Sequence, residues 1–141
     1  MHNESKLSGV NQSLVEMVQD NLANQPDLTF LDLNDHEIED LAGISDLLGQ
    51  FGCLEELNLS NNQFTTLPTD LSHLKAVANL NLQNIEFVDF ETTVEALSTL
   101  PVLRSLYINL KTEDKVDLIM RLLPELEYLN GLPVDSDALE D

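Results

Sequence analysis

Positive charge is the scarcest thing in this chain. Its 141 residues hold 6 Lys and Arg against 26 Asp and Glu, a formal net charge of −20. Such a shortage argues against nucleic acid as a direct ligand, because phosphate backbones are held by clustered Lys and Arg. It argues equally against docking on an anionic membrane surface. It favours solubility and, for any partner drawn in electrostatically, a basic one. The acids read most simply as a well-solvated surface; a dedicated site for a basic ligand is the alternative.

Cysteine is almost absent. The single thiol, Cys53, can form no internal disulfide and cannot alone build a zinc site. Beside Leu54, it is expected to be a small core residue. No run approaches 18 apolar residues, and the opening MHNESKLSGVNQS has no apolar signal core. No membrane span and no export signal are therefore expected. Cytoplasm or nucleus is the expected compartment, where sequons at Asn3, Asn11 and Asn58 stay silent.

Catalytic constellations are also missing. A serine hydrolase needs a nucleophile beside a histidine and an orienting acid. His2 lies in a polar terminus, His36 in a repeat turn and His73 in the return segment LSHL, none within GxSxG. P-loop and HExxH motifs are absent. The stretch DLNDHEIED has the acid density of a calcium loop, but Glu37 stands where an EF-hand needs glycine. Glu55 and Glu56 read as solvated strand residues. No catalytic residues, cofactor or metal are expected.

What is present is a repeat. The stretch LEELNLSNNQFTTLP has the form LxxLxLxxNxLxxL, through Leu54, Leu57, Leu59, Asn62, Phe64 and Leu67. The pattern recurs as Leu28, Leu31, Leu33, His36, Ile38, Leu41 and as Val77, Leu80, Leu82, Ile85, Phe87, Phe90. A weaker copy follows at Leu103, Leu106, Ile108, Lys111, and a fragment at Leu126, Leu129, Gly131. The starts at 28, 54, 77, 103 and 126 are separated by 26, 23, 26 and 23 residues, within the range of roughly 20–29 for leucine-rich repeats.

On these residues the chain resembles leucine-rich repeat proteins. The resemblance runs from about Leu28 to Val134. It implies an α/β solenoid with a short parallel sheet on the concave face, and short helices and turns on the convex face. In such proteins the asparagine satisfies backbone groups where the chain leaves the strand. Only Asn62 holds that position; His36, Ile85 and Lys111 replace it elsewhere, so the turn at Ile85 is expected to be altered.

The return segments fit this plan. GISDLLGQF places Ile44, Leu47 and Leu48 at helical spacing. TTVEALSTL opens on Thr92 and Glu95, a capping-box pair. TEDKVDLIMRLL has acids in its first turn and Arg121 near its end, as the helix dipole prefers. LPTDLSHL is expected to be a single turn or a 3₁₀ segment.

A solenoid needs caps. Residues 13–24 read as a helical N-cap, with a Ser13–Glu16 capping box and an apolar stripe of Leu14, Met17, Val18 and Leu22. Its polar face lacks Lys and Arg, which disfavours a membrane-surface role. Residues 126–134 read as the closing cap. Its LPxLxxLxG form resembles that of the acidic leucine-rich nuclear phosphoproteins, the nuclear regulator of protein phosphatase 1, the leucine-rich axonemal dynein light chain and the spliceosomal A-prime protein. Those caps commonly read Leu-Asp-Gly; here the residues are Leu129-Asn130-Gly131. Gly131 is expected to take a backbone conformation hard for other residues, with Leu132 and Val134 covering the last strand. Residues 1–12 are expected to be flexible and 135–141 an acidic tail. The acidic nuclear phosphoproteins continue into a long acidic tract, and this sequence does not. Either its function dispenses with that tract, or the sequence is a piece of a longer protein.

If the leucines point inward, the positions between them form the concave face. These are Phe30, Glu56, Asn79, Ser105 and Tyr128; Asp32, Asn58, Asn81, Tyr107 and Asn130; and Asn34, Ser60, Gln83 and Asn109. Acids gather toward the first copies and cations (Arg104, Lys111, Lys115, Arg121) toward the last. Tyr107 is the expected anchor, while Phe30 and Tyr128 are candidates to pack on the caps. The expected function is a monomeric, non-enzymatic module that binds a protein partner, one with a basic segment if the acids take part. The alternatives are an adaptor or chaperone for basic proteins such as histones, or an accessory subunit of a motor, phosphatase or spliceosomal complex.

Overall fold

The structure is a computed structural model and describes residues 12–134. The expected flexible N-terminus, with His2, Asn3 and Asn11, and the acidic tail 135–141 lie outside the described residues, as does the Ser13 side chain of the expected capping box.

Among the described residues, four helices are interleaved with six strands. Helix α1 (Gln12–Asn24) leads into β1 (Phe30–Asp32), α2 (Ala42–Gly49) and β2 (Glu56–Asn58). Strand β3 (Asn79–Leu82) precedes α3 (Phe90–Leu97), β4 (Ser105–Ile108), α4 (Glu113–Leu122), β5 (Tyr128–Leu129) and β6 (Leu132–Pro133). The strands form one sheet in chain order, β1 to β5 parallel and β6 antiparallel to β5. Parallel neighbours need long crossovers. Here these are α2, α3, α4 and, between β2 and β3, a run of turns through LPTDLSHL.

The register follows the leucine spacing. Phe30 pairs with Glu56, Glu56 with Asn79, Asn79 with Ser105 and Ser105 with Tyr128, successive steps of 26, 23, 26 and 23 residues. Leu31, Leu57, Leu80, Leu106 and Leu129 are therefore mutual neighbours across five strands, and all are buried. Leu33, Leu59, Leu82 and Ile108 form a second buried column two residues on. Strand side chains alternate between faces, so this spacing sends both columns to one side. There they meet Ile44, Leu48, Val94, Leu97 and Ile119 of the helices in one continuous core. Phe64 and Phe87 extend it, their ring centroids 6.2 Å apart.

Local chemistry sets the helix ends. Asp89 caps α3, its carboxylate accepting the Thr92 N–H. The helix therefore begins before the expected Thr92–Glu95 box, because Asp89 is already extended and supplies the oxygen. Helix α4 carries Glu113 and Asp114 in its first turn and Arg121 in its last. Helix α1 already includes Gln12, so Ser13 falls inside its first turn rather than ahead of it. Leu14 and Val18 of α1 are buried, Met17 and Leu22 pack at the core margin, and the helix lies against α2.

Two core expectations are corrected. Cys53 is exposed: Phe51 and Leu54 both turn into the core, which leaves the turn at Gly52 and Cys53 facing solvent. Leu132 is 69% exposed. Strand β6 folds back against β5 with Leu132 facing outward, and Val134 alone of that pair packs at the core margin. Asn130 (φ 53°) and Gly131 (φ 83°) make the reversal. Both residues lie at positive φ, as a type I′ hairpin requires.

Candidate functional site

The sheet's second face carries the residues between the leucines, and its central part is a hollow of about 140 Å³. Phe30, Glu56, Asn58, Asn79, Asn81 and Tyr107 line it, over Leu57 and Leu80. Phe30 and Glu56 are direct neighbours on β1 and β2, and Asn81 and Tyr107 on β3 and β4. Phe30 is half exposed, so it does not pack away against the helical cap. Tyr107 is half-buried and its hydroxyl lies 3.4 Å from where a Cβ on Gly131 would stand.

The remaining expected site residues lie outside this hollow. Ser105 and Tyr128 continue the Phe30 row toward β5, with Tyr128 exposed. Asp32, exposed, sits at the outer end of its own row. Gln83 and Asn109 lie past the strand ends, where they border an open depression with Asn130 and Lys111. Ser60 is corrected. It is only 6% exposed, and its hydroxyl donates to the Oδ1 atoms of Asn58 and Asn34. It braces two turns instead of facing a ligand.

Several polar side chains expected to be free are committed to the backbone. Asp32, Asn58 and Asn81 occupy equivalent positions, and each Oδ1 accepts the N–H two residues on, from Asn34, Ser60 and Gln83, at 3.0 Å. Each thereby closes its own turn. Asn62 is buried and joins two successive turns. Its Oδ1 accepts the His36 and Ile38 N–H groups, and its Nδ2 donates to the carbonyls of Leu33, Leu59 and Ser60. Farther along, Asn109 Oδ1, just past the end of β4, accepts the Asn84 N–H. Asn130 does likewise for Ile108.

A second amide row went unread in the sequence. Asp35, Asn61 and Asn84 recur one position beyond Asn34, Ser60 and Gln83, each at positive φ. Asn61 donates to Asn34 and Asn84 to Asn61, so the amides run across the turns as a chain. The signal was there: Asp and Asn are the residues that tolerate this conformation. Also unanticipated is a notch of about 200 Å³ beside α3, lined by Ile85, Phe87, Val88, Phe90, Lys111 and Lys115. Lys111 pairs with Glu86 at 3.2 Å, and Lys115 stands 4.8 Å over the Phe90 ring.

The expected charge gradient is partly cancelled by local pairing. Arg104 bonds Glu127, just ahead of β5, at 3.0 Å, leaving both half exposed. Two carboxyls are held below their ordinary range, and both serve turns. Asp70 is lowered by the Ser72 hydroxyl and then the Ser72 N–H, and Asp89 by the Thr92 N–H and then its hydroxyl. Neither lines the hollow.

One nucleophile does meet a histidine. Ser45 Oγ lies 2.8 Å from His73 Nε2, which also approaches the Ser45 carbonyl at 3.1 Å. Ser45 is buried in α2, and the ring of His73 covers Gly49, where an added Cβ would stand 2.5 Å from Cδ2. The bond ties the β2–β3 crossover to α2. Asp70, the nearby acid, is engaged with Ser72. Among the described residues, no three His, Cys, Asp or Glu side chains are grouped to hold a metal ion, and no helix is long and apolar enough to cross a membrane. No protein-family model matches the chain, and no curated protein matches it either.

Proposed function

We propose that this chain is a leucine-rich repeat solenoid that works as a non-enzymatic protein-interaction module, binding its partner through the open, concave face of the sheet. The observation that carries the reading is the hollow between Phe30 and Tyr107. The leucine columns are used up by the core, and among the described residues this face combines an exposed aromatic, a half-buried one and amide donors. Tyr, Trp and Arg dominate the energetics of protein interfaces, and anchors sit in small central pockets. The repeat reading is supported by the match between leucine spacing and strand register. A cytoplasmic or nuclear setting follows from the resemblance of the closing cap to intracellular proteins.

The test is a Tyr107→Ala, Asn81→Ala double variant. It is expected to capture less of the partner from native extract than the parent chain does, with a stability loss limited to the Asn81–Gln83 turn bond, about 1 kcal/mol. Undiminished capture would move the site to another surface, of which the Lys111–Lys115 notch is the first to examine.

A narrower reading, an adaptor for basic proteins, is favoured by the exposed carboxylates of Asp32 and Glu56 on that face and by the net charge of −20. It predicts binding that weakens steeply with salt, because exposed charges are screened beyond about 10 Å at 0.1 M. Salt-insensitive binding would sink it.

A further inference from the structure

We propose that the hollow is a socket for one arginine side chain carried by an extended segment of the partner, with the guanidinium between the Glu56 carboxylate and the Phe30 ring. This deepens the reading of the concave face as the binding face, and rests on it.

Size comes first. At about 140 Å³ the hollow falls short of the roughly 300–1,000 Å³ of a small-molecule site. It accommodates one side chain. Charge comes next. Glu56 is the only charged residue in the lining, and no Lys or Arg is present to neutralise it. An apolar side chain seated there would strip water from that carboxylate and return no hydrogen bond. An acidic one would meet like charge.

The aromatic placement selects arginine. Phe30 stands directly beside Glu56 in the register, half exposed. A planar guanidinium can stack on a ring while two of its N–H groups bond a carboxylate; an ammonium offers no such plane. Tyr107 is three strands from Phe30, about 14 Å at the usual strand spacing. The two rings therefore flank opposite ends of the hollow, and the aliphatic stem lies over the Asn79–Asn81 floor between them.

The amides explain the extended backbone. Asn58 and Asn81 have Oδ1 committed to their own turns. Each therefore presents Nδ2 donors, which suit carbonyls of an incoming strand-like segment and not the guanidinium itself.

The test is an NMR titration of the full chain with three peptides, acetyl-Gly-Arg-Gly-amide and its Lys and Leu counterparts. The arginine peptide is expected to shift the backbone signals of Phe30, Glu56 and Asn79, the lysine peptide to bind more weakly and the leucine peptide not to bind there. Glu56→Gln and Phe30→Ala should each weaken the arginine peptide roughly threefold, the scale of an exposed ion pair or cation–π contact. Glu113→Gln, on α4, should leave it unchanged. Equal binding of the leucine peptide, indifference to Glu56→Gln, or no shift from any peptide would overturn the socket. Loss of partner capture by the Tyr107/Asn81 variant without arginine preference would overturn the socket and leave the binding face standing. Undiminished capture would overturn both.

Discussion

The Oδ1 of Asn62 accepts the backbone N–H of Ile38 at 3.0 Å, from 24 residues further along the chain. One buried amide thus holds two successive turns in register. Its other four bonds go to backbone groups of the same two turns. Asn62→Ala would leave those groups buried without partners, at about 1–3 kcal/mol for each one not rescued by water. A loss on the order of 3 kcal/mol in urea unfolding is expected. Asn62→Asp keeps the acceptor and loses the donors, and should be intermediate. A loss under about 1 kcal/mol for the alanine variant would contradict this role.

Leu57 and Leu80 are register partners in the middle of the sheet, 2% and 3% exposed. Leu57→Ala and Leu80→Ala should each cost roughly 2–5 kcal/mol, the scale of buried leucine truncation. Asn79→Ala, on the other face of the same strand, should change stability by less than about 0.5 kcal/mol. The same denaturation series reads all three.

Gly49 and His73 are coupled sterically. A methyl at position 49 would press on the imidazole at 2.5 Å and displace it from Ser45. Gly49→Ala is therefore expected to destabilise by about 1–3 kcal/mol. In a His73→Ala background the same change should be close to neutral, giving a coupling energy of comparable size in a double-mutant cycle. Additive effects would show that the ring gives way freely.

Acid should loosen the turns at Asp70 and Asp89. Both carboxyls are held below their ordinary value of 3.8 in the folded chain, so the unfolded chain binds protons more readily. Their stabilisation is complete above about pH 5 and is lost as pH falls through the lowered folded values. The stability difference between the parent and Asp89→Asn should therefore be present at neutral pH and shrink progressively as pH falls below about 5. A difference independent of pH would mean that the charge of Asp89 contributes nothing to its cap.

The leucine columns were legible because a residue two or three places along a short strand has only two faces to choose between. Spacing alone placed Leu31, Leu57, Leu80, Leu106 and Leu129 in one row, and the pairing follows it residue for residue. The helices were legible through apolar spacing, less so through caps: Asp89 was overlooked because Thr92 and Glu95 made a familiar pair. The open face was harder. Its polar residues look free in sequence, yet Ser60 is buried and Asp32, Asn58 and Asn81 are spent on their own turns. Nothing in residue type separates a turn-closing amide from a recognising one until the i+2 backbone is placed. Asn130-Gly131 was different, since that dipeptide is a strong type I′ signal and was read only as a cap glycine. Cys53 misled through its neighbour, because Leu54 is core and the turn before it is not.

The face-binding account is tested most directly by comparing parent and Tyr107→Ala, Asn81→Ala chains side by side in quantitative partner capture, with thermal unfolding of both. The account predicts capture cut severalfold, with a stability loss no larger than that of the Asn81–Gln83 turn bond, about 1 kcal/mol, since neither side chain belongs to the buried leucine columns. Equal capture by the two chains would contradict it.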